Sequence, residues 1–207
     1  MPLTQQLPRS NNSLSSTWLV VGLGNPGPGY ASHRHNVGAM AVSQLASDIT
    51  ATFKSHKANA LVAEGWVRPG GPKLILAKPN TFMNLSGGPV ANLLKFYGLT
   101  PENLIVVHDE LDIDFDVVRL KSSGGHGGHN GLRDIIAATG SNEFARVRIG
   151  IGRPPGRQDA ADFVLQDFGK SEREVLPHVL AHACGAIEMI SDEGILAAQQ
   201  RYNSPAS

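Results

Sequence analysis

Only one cysteine, Cys184, occurs in 207 residues. That excludes an intramolecular disulfide and leaves no thiolate cluster for zinc. It is consistent with a reducing compartment. No apolar run approaches the roughly 20 residues that cross a bilayer as a helix. The stretch MPLTQQLPRSNNSLSST, residues 1–17, lacks the apolar centre of a secretory signal, and its single basic residue, Arg9, is too few for an organelle transit peptide. Rich in Ser, Asn, Gln and Pro, it reads as a disordered leader, and the expected location is cytoplasmic. Net charge is also missing, with 18 Lys/Arg against 18 Asp/Glu. The balance is not uniform, however. Residues 1–98 carry net +6, 99–116 net −6, 117–157 net +5 and 158–207 net −5. Such blocks can build a local basic surface on a neutral protein, or can be plain solvated faces.

What is present is an ordinary globular composition, 41% hydrophobic and 17% charged, long enough to bury a core without staples. Short apolar runs closed by turn residues alternate with helical periodicity. Strands are expected over 17–24, 60–67, 73–79, 103–112, 117–123 and 145–152. Helices are expected from about His35 to Asp48, over 86–97 with Gly98 as stop, and over 131–139. A long amphipathic helix with Cys184 inside its apolar stripe should follow a capping box at Ser171–Glu174. The turn Pro69–Pro72 makes 60–67 and 73–79 a hairpin. The expectation is therefore a single α/β domain over 18–203, a mixed twisted β-sheet sandwiched between helices.

The stretch VVGLGNPGPGYASHRHN, residues 20–36, contains G-x-G-x-x-G after an apolar run. In a dinucleotide fold the helix opens inside that motif and its N–H groups meet the pyrophosphate. Here Pro26 and Pro28 remove donors where the cradle needs them, and helical periodicity waits until about His35. Asp48, at the distance of a ribose-binding acid, falls at a helix end. The cofactor reading is disfavoured, and no cofactor is expected.

Four segments place Asn, His or Asp where a strand meets a loop: GLGNPGPGYASHRHN, KPNTFMNLSGGP, VVHDELD and SGGHGGHNGLRD. Ligands of open α/β sheets bind outside the carboxyl ends of strands, where such loops converge. Asn25, Asn84 and Asn130 offer carboxamides that can hold a carbonyl or stabilise an oxyanion, or can simply form turns. If His35 meets Asp109, the carboxylate fixes the imidazole tautomer and raises its basicity, making a general base for water. His126 and His129 lack a third ligand at fixed spacing, so metal is not expected. The run His108–Asp116 lacks the glycine and glutamate of an EF-hand loop, and no G-x-S-x-G elbow exists. Arg119, Lys121, Arg133, Arg146, Arg148 and Arg153 flank the glycine-rich loop. In VRLK and RVRI the charges stand two apart, hence on one face of a strand, fit to clamp a phosphate or to charge a sheet edge.

With VGLGNPGPGYASHRHNVG, KPNTFMNLSG, VVHDELD, GGHGGHNGLRDI and RVRIGIGRP in that order, the chain closely resembles the bacterial-type peptidyl-tRNA hydrolase family from about Trp18 to Tyr202. The resemblance implies a metal-independent, usually monomeric enzyme. It would cleave the ester between peptide and the tRNA 3′ end, recycling tRNA from stalled translation. His35 would be the base, Asp109 its supporting carboxylate and Asn25 the amide at the reaction centre. Asn84 and Asn130 would bind substrate. Tyr30, Asn36, Met83 and His129 would line the cleft, and Lys121 with Arg148 would grip the tRNA 5′ phosphate. An RNA-binding module without hydrolysis, a nucleotide-dependent oxidoreductase and a metal-dependent maturation protease are the alternatives. The first would bind RNA without ester cleavage, the second would bind cofactor, and the third would need acidic metal ligands.

Overall fold

Leu19, Val20 and Val21 are fully buried because β1 (Thr17–Gly22) runs through the middle of the sheet, with apolar layers on both faces. The computed structural model describes residues 16–204. Of the leader expected over 1–17, residues 1–15 lie outside the described residues, while Ser16 is described and Thr17 already belongs to β1. The other strands are β2 (Lys54–His56), β3 (Ala60–Trp66), β4 (Lys73–Pro79), β5 (Leu104–Glu110), β6 (Val118–Lys121) and β7 (Ala145–Gly150). Their order is β2-β3-β4-β1-β5-β7-β6. The strands β4, β1, β5 and β7 are parallel, whereas β2, β3 and β6 pair antiparallel. The sheet is thus mixed, as the hairpin requires.

Alternate residues of each central strand feed two cores. Val20, Leu74, Leu76, Ile105 and Val107 pack beneath α1 (Val37–Asp48) and α5 (Lys170–Glu193). Leu19, Val21, Ile75, Leu104 and Val106 pack beneath α2 (Gly87–Tyr97) and α3 (Asn130–Thr139). Two shorter helices, α4 (Ala160–Val164) and α6 (Ile195–Tyr202), complete the chain order. Cys184 is buried with its Sγ 3.4 Å from the Ala41 carbonyl, and burial pushes its thiol up to about 12.

Gly22 and Gly38 serve packing. A Cβ on Gly22 would stand 2.5 Å from the Gly38 carbonyl oxygen, and one on Gly38 would stand 2.1 Å from that of Val107. The two glycines let α1 press onto the ends of β1 and β5. Proline then governs the exit: Pro28 opens a 3₁₀ turn, and α1 starts only at Val37.

Three expectations are corrected. The cap of α5 is Gly169, whose N–H donates to the Glu172 carboxylate, two residues before the expected box. The strand over 17–24 ends at Gly22, and the strand over 103–112 ends at Glu110, where loop geometry takes over. β2, α4 and α6 have no strong period of their own, and packing decides them. Asn203, just after α6, accepts from the Leu120 N–H and donates to the Leu120 carbonyl, both at 2.8 Å. Its amide stands where a neighbouring strand would pair and so covers the open edge of β6.

Candidate active site

Four chain segments meet at the carboxyl end of the parallel strands: the β1–α1 loop, the β4–α2 connection, the end of β5, and the glycine-rich loop before α3. The first, third and fourth of these carry the central contacts. Asp109, 4% exposed, projects from β5. His35, on the 3₁₀ turn Arg34–Asn36 ahead of α1, places Nδ1 2.9 Å from both carboxylate oxygens. His129 places Nε2 2.9 Å from Asp109 Oδ1.

Hydrogen-bond bookkeeping assigns the tautomers. His129 is the N-cap of α3, and its Nδ1 accepts from the Leu132 N–H. Its proton therefore sits on Nε2 and is donated to Asp109. A carboxylate can only accept, so His35 also donates from Nδ1, which leaves His35 Nε2 as the free lone pair. His35 lines a cleft of about 600 Å³. Burial disfavours its charged form, but the attraction and hydrogen bond of Asp109 outweigh that and raise its pKa above the ordinary 6.5. Burial would push the Asp109 carboxyl up. The attraction of the His35 and His129 rings and the hydrogen bonds they donate instead hold it well below the usual range.

Asn25 is held at three points. Its N–H donates to Asn36 Oδ1 at 3.0 Å, and its carbonyl accepts from Asn36 Nδ2 at 2.9 Å. Its own Oδ1 accepts from the Met83 N–H at 2.8 Å. The side-chain NH₂ is therefore left toward the cleft, which Asn25 lines. Asn84 and Asn130 also line it, with Met83 as a buried backing. Neither amide bonds to another side chain among the described residues, so both keep their capacity for a ligand.

Two expected lining residues do not line it. Asn36 is 5% exposed and spends both amide atoms on the Asn25 backbone. Tyr30 sits behind the rim, edge-on to Phe82 with ring centroids 6.1 Å apart, while Phe82 itself faces the cleft. His129 touches the cleft but is committed to Asp109.

The basic strands differ from each other. The register sets Lys121 opposite Arg146 and Arg119 opposite Arg148, so all four share one face. Arg146 is buried and donates to the Gly124 and Gly125 carbonyls, clamping the glycine-rich loop. Arg119 donates to the Tyr202 carbonyl. Lys121 is exposed, and Arg148 has its nearest carboxylate, Glu110, at 3.9 Å. Arg133, on α3, is exposed, and Arg153 pairs with Asp112.

Sequence reasoning missed Arg34 and the α4 wall. Arg34 is 7% exposed, its guanidinium 4.3 Å from the Phe163 ring centroid and 2.7 Å from Glu172. It also donates to the Asp167 carbonyl at 2.6 Å. It thereby ties the turn carrying His35 to the segment of Ala160, Ala161, Val164 and Leu165 that walls the cleft. The one available signal was its position inside the His33–Asn36 cluster. His108 is buried too, its Nδ1 2.7 Å from the Asp109 carbonyl, and burial with the neighbouring His129 lowers its pKa to about 3.

His35 Nδ1, the Asp109 carboxylate and His129 Nε2 lie within 4.8 Å of one another, the one such donor set for a divalent ion among the described residues. A metal there would have to displace both protons now donated to Asp109. No described helix is long and apolar enough to cross a membrane.

A mixed α/β sheet carrying an imidazole–carboxylate pair in an amide-lined cleft defines an enzyme class rather than a dinucleotide fold. The peptidyl-tRNA hydrolase family model matches residues 19–207. A peptidyl-tRNA hydrolase of Leifsonia xyli subsp. xyli is 60% identical over 191 residues, spanning 92% of this chain and 99% of the relative. One of Pseudarthrobacter chlorophenolicus is 54% identical over 190 residues, spanning 92% and 97%. The crystal structure of the Acinetobacter baumannii peptidyl-tRNA hydrolase superposes with TM-score 0.82 at 39% identity, covering 92% of this chain and 96% of that one. A peptidyl-tRNA hydrolase crystallised with N-propanol gives TM-score 0.84, also at 39% identity, covering 93% and 98%. The chain belongs to the peptidyl-tRNA hydrolase family and is an enzyme that hydrolyses peptidyl-tRNA.

Proposed function

We propose that this chain cleaves the ester of peptidyl-tRNA with a water activated by His35 and without a metal. The observation that carries the reading is the pair of 2.9 Å contacts from His35 Nδ1 to Asp109, which leave Nε2 as the basic lone pair. Nε2 takes a proton from water as the water oxygen bonds to the ester carbonyl carbon. Asp109 holds the tautomer and stabilises the imidazolium. The Asn25 NH₂, fixed by its bonds to Asn36 and Met83, donates to the developing oxyanion. The bond to the ribose 3′ oxygen then breaks, and the imidazolium returns its proton to that oxygen. An ester is activated relative to an amide, so no covalent nucleophile is required.

Asn84 and Asn130, with the Met83 backing, hold the peptidyl backbone and the acceptor end. A free amino group in place of the peptide amide would leave those carboxamides unpaired, which selects peptidyl over aminoacyl substrates. Lys121 and Arg148, on the shared face of β6 and β7, take the 5′ phosphate. The chain acts as a cytoplasmic monomer. Hydrolysis of peptidyl-tRNA by chelator-treated enzyme, compared with His35→Ala, tests the reading. Loss of roughly 10²–10⁴-fold is expected, and full activity of the variant would remove His35 as the base.

A further inference from the structure

Behind Asn25 a second cavity, of about 530 Å³, opens between α1 and the ends of β3 and β4. Its lining includes Asn25, Pro26, Met40, Leu61, Lys78 and Asn80. Asn25 lines this cavity and the catalytic cleft alike. The volume is in the range of ligand sites, and the walls pair apolar surface with a few polar groups.

Lys78 is the unusual member. Strand alternation turns it onto the α1 face, half-buried, with Nζ 2.9 Å from Ser43 Oγ and 4.2 Å from the Phe53 ring centroid. Ser43 donates its own proton to the Ala39 carbonyl, so it can only accept from Lys78. Among the described residues no carboxylate lies within salt-bridge distance of Nζ. A cation removed from water without a counter-charge is costly, and burial accordingly pulls the ammonium below its ordinary pKa. An anion entering the cavity would supply the missing partner.

The sheet order tells which part of the substrate reaches it. Lys121 and Arg148 lie on β6 and β7, to one side of Asp109 on β5, which His35 contacts. The cavity lies over β1, β4 and β3, to the other side. In peptidyl-tRNA the nucleic acid and the peptide leave the ester in opposite directions. With the tRNA entering over β6 and β7, as the reading of the cleft above has it, the cavity falls on the peptide side.

We infer that this cavity is a distal peptide subsite, in which Lys78 Nζ receives a carboxylate side chain of the peptidyl moiety. The substrate would then be gripped at three places: the tRNA phosphate, the ester, and a residue upstream of the ester.

The test uses full-length enzyme and four substrates: N-acetylaminoacyl-tRNA, and tripeptidyl-tRNAs with Glu, Gln or Lys two residues from the ester. Wild type should hydrolyse the Glu substrate with a kcat/KM about tenfold above the Lys substrate, through KM. Lys78→Met should bring that ratio below about twofold while leaving N-acetylaminoacyl-tRNA unchanged, and Lys78→Arg should keep it. Equal rates across the wild-type panel, or a Glu preference that survives in Lys78→Met, would overturn the subsite. A uniform loss on all four substrates with a shallower salt dependence would overturn it too, and would assign the cavity to a phosphodiester of the acceptor end. The reading of the main cleft is scored separately, by His35→Ala on N-acetylaminoacyl-tRNA.

Discussion

His129 Nε2 stands 2.9 Å from Asp109 Oδ1, the oxygen that His35 Nδ1 also reaches at 2.9 Å. One buried carboxylate is therefore held between two imidazoles, and the N-cap of α3 sets which proton the second one donates. Under the proposed mechanism His129 acts through Asp109, as a positioning residue. His129→Ala is expected to lower kcat by about tenfold or more, with little change in KM. His129→Gln, which can still donate to Asp109, should recover part of the loss. A KM effect alone would instead mean direct contact with substrate.

The pH profile follows from His35. Its pKa is raised above 6.5, and as the proposed base it works only when neutral. Activity should be full above the raised pKa and fall tenfold per unit below it. Asp109→Asn removes the attraction that raises the pKa while burial still opposes charge. The acid limb of kcat/KM should therefore move to lower pH as the plateau drops. Rate profiles of both proteins between pH 5 and 9, about the range where imidazole titrates, check the direction.

Arg34 should matter beyond its distance from the reacting bond. Its guanidinium lies against Phe163 and Phe168, pairs with Glu172 and bonds the Asp167 carbonyl. Arg34→Gln leaves Glu172 without its cation and the aromatic pocket half-filled, at a cost of about 3 kcal/mol. Urea unfolding should show the loss. Proteolysis within 159–169 should rise and KM should increase, because the α4 wall loses its tether to the His35 turn.

Gly38→Ala should destabilise by about 1–3 kcal/mol, measured as a lowered thermal midpoint. The added methyl would meet the Val107 carbonyl at 2.1 Å, and backbone cannot move aside as a side-chain tip can. The control is Gly88→Ala, where nothing lies within 4 Å of the new Cβ.

Under the proposed mechanism, in which His35 generates the nucleophile, treatment with chelator should leave the rate unchanged. Added zinc should inhibit, because a divalent ion on His35, Asp109 and His129 would occupy the groups that the base needs. Stimulation by zinc would reverse the assignment and make the cluster a metal centre.

Much of this arrangement was legible in residue order. The helices ending at Asp48 and Tyr97 and the hairpin strand over 73–79 follow from period and turn chemistry, which are local. β2 was not legible: Lys54, Ser55 and His56 show no alternation, and they form a strand because β3 offers an unpaired edge. RVRI looks like a symmetrical basic pair, yet Arg146 is spent inside on the glycine-rich loop while Arg148 stays at the surface of the face. Asn36, expected in the cleft, instead clamps Asn25, because its one side chain spans that neighbour's N–H and carbonyl.

The sequence by itself determined the mixed α/β class, the family motifs and which side chains bear usable chemistry, because periodicity, turn residues and functional groups are properties of short stretches. Tertiary structure alone decided that His35 and Asp109, 74 residues apart, come within hydrogen-bond distance. It also decided that His129 bonds to Asp109, and that Lys78 is half-buried with no carboxylate partner among the described residues. Those outcomes depend on packing across the sheet, on the close approach of α1 that Gly22 and Gly38 permit, and on hydrogen-bond satisfaction among groups remote in the chain.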